Sequence, residues 1–222
     1  MESFKMMERI IIIGGKGAAV VLADQILHAI KNADAPYEFL GYSIDDKSLG
    51  DNINGYPILC GIKDLQNKYG HLQDVKFFFA LYKPSCMKER VTLFKTLNLP
   101  INKFTNFMHP MAYIAPSASF GTGNVVCSNV TVNSNARIGN FNTLNGNVLF
   151  GHDTQMGSYN IIAGNATVSS EIEIGDGNFI GLNSTIRDRV KIGDYNIIGM
   201  ASTVLKNVDS NQTLIGSPAK VI

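Results

Sequence analysis

The sequence predicts a small α/β domain over residues 1–108, followed by a parallel β-helix domain over residues 109–222. The β-helix is predicted by a six-residue apolar repeat that runs from Ile114 to Val204. The α/β domain is predicted by segments before residue 108 that alternate between strand-like and helix-like apolar spacing. A glycine-rich turn between the first strand and the first helix supports this assignment.

Every sixth residue from Ile114 onward is apolar, and the register never slips. These positions are Ile114, Phe120, Val126, Val132, Ile138, Leu144, Phe150, Met156, Ile162, Val168, Ile174, Ile180, Ile186, Ile192, Ile198 and Val204. An α-helix repeats near 3.6 residues and an ordinary strand near 2, so neither explains this period. A hexapeptide repeat is typical of a β-helix, in which the chain turns a corner every six residues and points one aliphatic side chain inward.

A second repeat, of asparagine, has a period of 18 residues. It comprises Asn124, Asn142, Asn160, Asn178 and Asn196. Three hexads therefore form one coil, and each asparagine is expected to bond its copy one coil away, which satisfies polar groups at the corner. Glycines such as Gly139 and Gly157 follow the apolar residue where a side chain would crowd the corner. A β-sandwich of short strands is the alternative, but it would not produce a period of 18.

The first strand and helix of the predicted α/β domain enclose a candidate phosphate site. Arg9–Ile13 is predicted to be a buried strand, and Ala18–Ile30 has helical apolar spacing. The turn between them contains Gly15, Lys16 and Gly17. A helix N-terminus at this point can bind a phosphate through its free N–H groups. The alternative is a tight strand-to-helix turn without a ligand.

A pair of carboxylates follows the second predicted strand, Glu38–Tyr42. Asp45 and Asp46 are placed to accept hydrogen bonds from a ribose or a base. The alternative is a solvated turn. Four further elements are predicted: a turn at Asn54–Pro57, a strand at Val75–Leu81, a helix at Pro84–Leu97 and a last strand at Phe104–Met108.

Among the four histidines, His152 is the candidate for chemistry. It occupies the third position of a hexad, which points away from the β-helix core, and Asp153 follows it. A neutral imidazole can take a proton near pH 7, and a carboxylate can fix its tautomer. The alternative is an ordinary surface histidine. A zinc site needs three or four ligands, and no second histidine lies in the hexads, so no metal is expected.

Composition argues against a nucleic-acid-binding protein, a disulfide-bonded protein and a membrane protein. The chain has 222 residues and a net charge of +1, which does not indicate binding to nucleic acid. Cys60, Cys86 and Cys127 are widely spaced and odd in number, as expected for reduced cysteines of a cytoplasmic protein. Met1–Arg9 is charged and the following apolar run is short, so neither a signal peptide nor membrane insertion is expected.

Together these features resemble the hexapeptide acyltransferases. They are the hexads, the ending Gly216–Lys220, the coil histidine followed by an acid, and the small α/β domain in front. More closely, the chain resembles the sugar O-/N-acyltransferases of the sialic acid O-acetyltransferase (NeuD) group, and it is similar to the bacillosamine-pathway acetyltransferase (PglD). This resemblance implies a Rossmann-like nucleotide-sugar-binding domain, a left-handed β-helix and a homotrimer.

The resemblance also implies a reaction in bacterial surface-glycan biosynthesis. Acetyl-CoA would be a co-substrate, with no permanently bound cofactor. Its acetyl group would pass to the 4-amino group of a nucleotide-linked 4-amino-4,6-dideoxy sugar. His152 matches the family's general base and Asp153 the acid that orients it. The Gly15–Gly17 turn, with Lys16, and Asp45 with Asp46 match the nucleotide-binding positions.

Positions for acetyl-CoA follow from the same resemblance. Leu182 and Met200 match residues that line CoA, and Ile161 stands where the family has a second coil histidine beside the acetyl carbonyl. From the residues themselves, the backbone N–H of Gly164 is a candidate oxyanion donor and Lys220 is a cation near the last coils. Ala18 and Tyr82 also depart from the family's pattern. Two other functions stay open: O-acetylation of a sialic acid or another sugar hydroxyl, and an inactive trimeric scaffold.

Overall fold

A computed structural model describes residues 7–222. Most of the charged segment Met1–Arg9 therefore lies outside the described residues. Two compact units are present: residues 7–82 with 92–105, and residues 83–91 with 106–222. Within the described residues, no helix combines the length and the apolar character needed to cross a bilayer.

The first unit contains a five-stranded sheet. Its strands are β1 (Glu8–Ile13), β2 (Tyr37–Ser43), β3 (Asn52–Ile53), β4 (Tyr56–Cys60) and β5 (Val75–Phe79). Their order is β3-β4-β2-β1-β5, with β3 antiparallel to β4 and the other pairs parallel. The side chains of Ile10 to Ile13 are fully buried. A continuous apolar run is expected for a central parallel strand that is covered on both faces.

Helices lie between these strands or follow the last of them. They are α1 (Ala18–Ala33), α2 (Leu65–Tyr69) and α3 (Met87–Thr96), with short 3₁₀ helices at Lys47–Leu49, Ile62–Asp64, Pro84–Cys86 and Ile101–Lys103. The predicted first helix is confirmed and extends three residues further, to Ala33. It ends at Asp34, whose left-handed backbone lets its N–H bond the Ala29 carbonyl. The buried face of α1 consists of Ala19, Leu22, Ala23, Ile26 and Ala29.

Three predicted element boundaries were wrong. The strand predicted at Val75–Leu81 ends at Phe79, and the helix predicted from Pro84 begins with a 3₁₀ turn. The turn predicted at Asn54–Pro57 contains only Asn54 and Gly55, whose positive φ angles suit a two-residue hairpin turn. Tyr56 and Pro57 already belong to β4.

The last strand predicted for the α/β domain belongs instead to the coils. Only Phe107–Met108 is a strand, and it pairs with Val125–Val126. Asn106 supplies the reason, because its side chain accepts the backbone N–H of Asn124 at 2.8 Å. Asn106 thus starts the asparagine ladder one coil before Asn124, the first member of the predicted repeat.

The second unit is a parallel β-helix with three faces. Face 1 comprises Tyr113–Ile114, Thr131–Val132, Leu149–Phe150, Thr167–Val168, Thr185–Ile186 and Thr203–Val204. Face 2 comprises Ser119–Phe120, Arg137–Ile138, Gln155–Met156, Glu173–Ile174 and Lys191–Ile192. Face 3 comprises Phe107–Met108, Val125–Val126, Thr143–Leu144, Ile161–Ile162, Phe179–Ile180, Ile197–Ile198, Thr213–Ile215 and Lys220–Val221. Most strands pair in parallel with the strand 18 residues on, as Val132 does with Phe150, which confirms three hexads per coil.

Three corners join these faces. Corner A joins faces 1 and 2 and comprises residues 115–118, 133–136, 151–154, 169–172 and 187–190. Corner B joins faces 2 and 3 and comprises residues 121–124, 139–142, 157–160, 175–178 and 193–196. Corner C joins faces 3 and 1 and comprises residues 127–130, 145–148, 163–166, 181–184 and 199–202.

The two sequence repeats build the interior of the coils. Every hexad residue is buried except Ile114 and Phe120, which are partly buried against the same core. Inside corner B, the Asn160 amide donates to the Asn142 carbonyl oxygen at 3.0 Å, and Asn142 donates to Asn124 at 3.1 Å. The predicted asparagine ladder is therefore confirmed. These stacked two-residue strands fit a left-handed β-helix.

Candidate functional site

The predicted catalytic pair lies together on corner A. His152 Nδ1 is 2.7 Å from Asp153 Oδ2, and both side chains are about half exposed. Asp153 has a φ of 56°, a left-handed conformation that a short polar residue tolerates. A carboxylate only accepts hydrogen bonds, so in the neutral ring Nδ1 carries the proton. The Nε2 lone pair of His152 is then available to accept a proton.

Asn135 completes the surroundings of this pair. Its Nδ2 donates to Asp153 Oδ1 at 2.9 Å, so each oxygen of the carboxylate has a partner. The His152 ring, and then the Asn135 amide, hold the pKa of Asp153 below its ordinary value. Asn135 and Asp153 are 18 residues apart, and thus occupy the same place in successive coils.

Two further charged residues continue this column along corner A. The Arg189 guanidinium donates from Nε and Nη2 to the Glu171 carboxylate, at 3.1 and 3.0 Å. Arg189 thereby holds the pKa of Glu171 below its ordinary value. The Glu171 backbone N–H donates to the His152 carbonyl at 3.0 Å. Asn135, Glu171 and Arg189 were not predicted as site residues, although positions 135, 153, 171 and 189 succeed one another at 18-residue intervals, a signal that would have identified them.

Most of the predicted acetyl-CoA positions lie on or beside corner C. Gly164, Leu182 and Met200 succeed one another at 18-residue intervals, and Leu182 and Met200 are 48% and 73% exposed. A side chain added at Gly164 would lie 3.2 Å from the Gly146 carbonyl oxygen and 3.6 Å from Leu182 Cδ2. An added side chain would therefore contact both the backbone of the preceding coil and the Leu182 side chain.

The other two acetyl-CoA positions lie on face 3. Ile161 is buried between Thr143 and Phe179, its partners in the neighbouring strands. Lys220 is exposed in the short antiparallel strand that pairs with Thr213–Ile215. The segment before Lys220 returns to face 1, where Ala219 N–H donates to the Thr203 carbonyl at 2.8 Å.

Within one chain, the predicted catalytic pair and most of the predicted acetyl-CoA positions lie on different corners. His152 and Asp153 occupy corner A, whereas Gly164, Leu182 and Met200 occupy corner C. The strands of face 1 lie between the two corners. The residues of the catalytic pair thus lie together, and so do the acetyl-CoA positions on corner C. The two sets are not brought together within one β-helix.

The predicted nucleotide site of the first unit is partly assembled. Lys16 Nζ lies 2.8 Å from Asp46 Oδ2, which joins the glycine turn to the end of β2. Asp46 Oδ1 also accepts the backbone N–H of Ser48 at 3.0 Å and so caps a 3₁₀ helix. The Lys16 hydrogen bond, and then those from Ser48, lower the pKa of Asp46 to about 2.

The remaining members of that site differ in their roles. Gly17 precedes α1 with a φ of 53° and no side-chain cap, and the space where a Cβ would be is open. A Cβ at Gly15 would instead lie 2.9 Å from Leu49 and 3.1 Å from Ile53, so this glycine permits internal packing. Asp45 Oδ1 accepts the Ile62 backbone N–H at 3.1 Å.

Asp45 also borders a cavity of about 380 Å³ in the first unit. The cavity is otherwise lined by Ile62, Lys63, Gln66, Leu93, Thr96, Leu97 and Leu99. Asp45 and Asp46, although adjacent in sequence, therefore have different surroundings. In residues 7–222, no three His, Cys, Asp or Glu side chains are grouped to hold a metal ion.

Comparison with solved structures establishes the fold. No family model matches the chain, and no curated protein matches it. The acetyltransferase domain of PglB from Neisseria gonorrhoeae, solved with acetyl coenzyme A, is 20% identical, with a TM-score of 0.82 over 97% of this chain and 99% of that one. PerB from Caulobacter crescentus, solved with CoA and GDP-perosamine, is 21% identical, with a TM-score of 0.78 over 99% and 98% of the two chains. WeeI from Acinetobacter baumannii is 23% identical, with a TM-score of 0.78 over 97% and 100%. The chain therefore has the fold of these three proteins.

Proposed function

We propose that the protein is an acetyl-CoA-dependent N-acetyltransferase acting on the 4-amino group of a nucleotide-linked 4-amino-4,6-dideoxy sugar. The observation that carries this proposal is the His152–Asp153 pair on an outer corner of the β-helix. The fold adds support, because PglB and PerB share it and were solved with acetyl-CoA, or with CoA and GDP-perosamine. We place the reaction in the cytoplasm, where free cysteines such as Cys60, Cys86 and Cys127 persist.

His152 acts as the general base in this proposal. The neutral amine attacks the thioester carbonyl, and Nε2 of His152 accepts the proton that the amine loses. Asp153, bonded to Nδ1, stabilises the resulting imidazolium. The tetrahedral intermediate then expels the CoA thiolate, which recovers the proton from His152. The backbone N–H of Gly164 is the proposed donor to the transient oxyanion.

The two units divide the substrates between them in the proposed enzyme. The first unit acts as a Rossmann-like nucleotide-binding domain, corresponding to the predicted domain 1–108. Its phosphate contacts are the uncapped start of α1 and Lys16, and Asp45 and Asp46 accept hydrogen bonds from the sugar or base. The coils, corresponding to the predicted domain 109–222, bind acetyl-CoA beside Ile161, Gly164, Leu182, Met200 and Lys220.

A homotrimer completes the proposed active site. The base is on corner A and the acetyl-CoA positions are on or near corner C, so one β-helix cannot offer both to one acetyl group. If corner A of one copy faces corner C of the next, three copies close a ring with three equivalent sites. The exposed apolar side chains of Leu182 and Met200 on corner C are consistent with such a cleft.

The direct test is release of free thiol from acetyl-CoA. UDP-, dTDP- and GDP-linked 4-amino-4,6-dideoxy sugars are supplied as acceptors, together with sialic acid. Turnover with one amino sugar is expected to fall by about 10²–10⁴-fold in His152→Ala. His71→Ala is the matched control, since His71 is exposed in the first unit. Turnover that persists in His152→Ala would refute the assigned base.

The same panel separates the alternatives. Acetylation of sialic acid alone would establish a hydroxyl acceptor. Absence of both turnover and CoA binding across the panel would leave the inactive scaffold. For the oxyanion donor, unchanged turnover in Gly164→Ala would exclude the proposed contact, because the added methyl group occupies the surface beside Leu182.

Complementation tests the shared site. His152→Ala and Leu182→Trp are each expected to be inactive, the second because it blocks corner C. When both are co-expressed, some sites of a mixed trimer combine an intact corner A with an intact corner C, and activity should return. Sedimentation velocity should show a trimer in every sample. A monomer, or no recovery of activity in a mixed oligomer, would contradict the shared site.

A further inference from the structure

We infer that Asn135 is a positioning residue for the proposed reaction: its side chain orients the Asp153 carboxylate, which in turn holds His152 as the Nδ1–H tautomer. Asn135 touches neither substrate nor the reacting ring, and it acts only through Asp153. Its consequence for turnover rests on the proposed acetyltransferase activity. Its effect on the His152 ring does not depend on that activity.

Both oxygens of the Asp153 carboxylate have hydrogen-bond partners. Asp153 Oδ1 accepts from Asn135 Nδ2 at 2.9 Å, and Oδ2 lies 2.7 Å from His152 Nδ1. Asn135 is itself anchored to the preceding coil, because its backbone N–H donates to Ser117 Oγ at 3.0 Å. The Asp153 side chain is 48% exposed, so without Asn135 its carboxylate would be free to rotate into water.

Position 135 requires a short, uncharged side chain that donates a hydrogen bond to Asp153. The partner atom on Asp153 only accepts, so the amide of Asn135 must present its NH₂ group. A lysine or arginine would also donate, but its charge would compete with the imidazolium for Asp153. The φ of Asn135 is 60°, a left-handed conformation that asparagine adopts more readily than most residues.

The tautomer decides whether His152 can act as a base. With Nδ1–H donating to Asp153, the lone pair of Nε2 is free to take a proton. If the carboxylate rotates away, Nδ1–H loses its acceptor and the ring is free to carry its proton on Nε2. That form offers no lone pair at Nε2. The other charged groups on corner A are Glu171, which is engaged by Arg189, and Arg187 and Asp188 on the same coil as Arg189. The Asp188 carboxylate lies 3.9 Å from Arg189.

The first experiment reads the ring directly, without substrate. Nitrogen-15 NMR of the full-length protein, recorded with the ring neutral, reports which nitrogen carries the proton. Asn135→Gly removes the donor and accepts the left-handed backbone, and it should shift His152 toward the Nε2–H form. The matched control is Asn211→Gly, because Asn211 is exposed and has a φ of 65°. It lies away from corner A, since its backbone N–H donates to the carbonyl of Asp194 in corner B. The control should leave the His152 signals unchanged.

The second experiment measures turnover. In Asn135→Gly, kcat should fall roughly 3- to 10-fold, the size expected for one net hydrogen bond, with KM for both substrates unchanged. In an Asp153→Gly background the same change should have no further effect, because the residue through which Asn135 acts is already absent. A full additional loss in that background would overturn the inference.

The spectroscopic result stands apart from the proposed activity. Unchanged His152 nitrogen shifts in Asn135→Gly would overturn the positioning role even if the enzyme is active. A shifted tautomer in a protein that turns over no acceptor would refute the acetyltransferase and retain the positioning role. If Asn135→Gly does not fold, Asn135→Asp keeps the shape but replaces the donor with a carboxylate that repels Asp153, and the same shift toward Nε2–H is expected.

Discussion

The Lys16 ammonium lies 2.8 Å from the Asp46 carboxylate and so joins two segments that are 30 residues apart. Both segments were predicted to bind the nucleotide. Asp46 cannot contact a phosphate favourably, because both are negatively charged. A bound phosphate would therefore draw on Lys16 and the start of α1, while Asp46 would be left to accept hydroxyl groups.

Replacing Lys16 tests this division of roles. Lys16→Ala should weaken binding of the nucleotide sugar by roughly 10-fold, about the value of one charge-assisted hydrogen bond, and leave kcat unchanged. Isothermal titration calorimetry with each nucleotide sugar measures the effect. Lys47→Ala, which removes an exposed lysine nearby, is the control. Equal affinity in the wild type and Lys16→Ala would exclude Lys16 from the site.

Asp46 predicts a dependence of stability on pH. Its pKa is lowered in the folded chain from 3.8 to about 2, so ionised Asp46 stabilises the fold above pH 3.8. That stabilisation is lost as the pH falls through about 2. The melting temperature of the wild type should thus exceed that of Asp46→Asn at pH 6, and the difference should shrink toward pH 2. A difference that grows on acidification would contradict the assignment.

Glu171 offers a second titration with a defined sign. Arg189 lowers its pKa, so Arg189→Gln should raise the pKa of Glu171 toward the ordinary 4.5. Carboxyl carbon-13 NMR measures the change. Lys191→Gln is the matched control, because Lys191 forms a similarly exposed ion pair with Glu173 at 2.9 Å. If both variants moved Glu171 equally, the effect would be one of overall charge and not of the Arg189 contact.

The hexad core predicts a strong contrast between neighbouring residues. Ile186 is fully buried, so Ile186→Ala should lower the free energy of unfolding by about 2–5 kcal/mol. Thr185 points outward on face 1, and Thr185→Ala should change the free energy of unfolding by no more than about 0.5 kcal/mol. Urea unfolding measures both. Similar losses in the two variants would show that the inward register is wrong.

The asparagine ladder predicts unequal costs along its length. Asn160 bonds Asn142, Asn178 and the Gly175 carbonyl, and Asn160→Ala should cost about 1–3 kcal/mol for each buried group left unpaired. In the described chain, the Asn196 Nδ2 has no partner, because the final coil is shorter. Asn196→Ala should therefore cost clearly less. Urea unfolding that ranks Asn196→Ala as the more damaging would contradict this account.

Repetition explains which parts of the fold were predictable. Each coil repeats the same local environment, so the same requirement for an inward apolar side chain recurs at Ile138, Met156 and Ile174. The α/β unit has no such redundancy, and β3, β4, α2 and most of the 3₁₀ helices were not predicted. The start of the coils was also missed, because Asn106 is one ladder member without a preceding copy.

The sequence by itself determined the coil period and the buried positions, and it singled out His152 and Asp153 as the candidate pair, because these depend on local spacing along a repeating chain. Only the tertiary structure decided that Asn135 bonds Asp153, that Lys16 bonds Asp46, and that Asp45 accepts the Ile62 backbone N–H. Those contacts join residues 17 to 30 positions apart through the direction of individual side chains. The direction of a side chain depends on how each coil and strand is stacked on its neighbour. The spacing of residues along the sequence does not specify that direction.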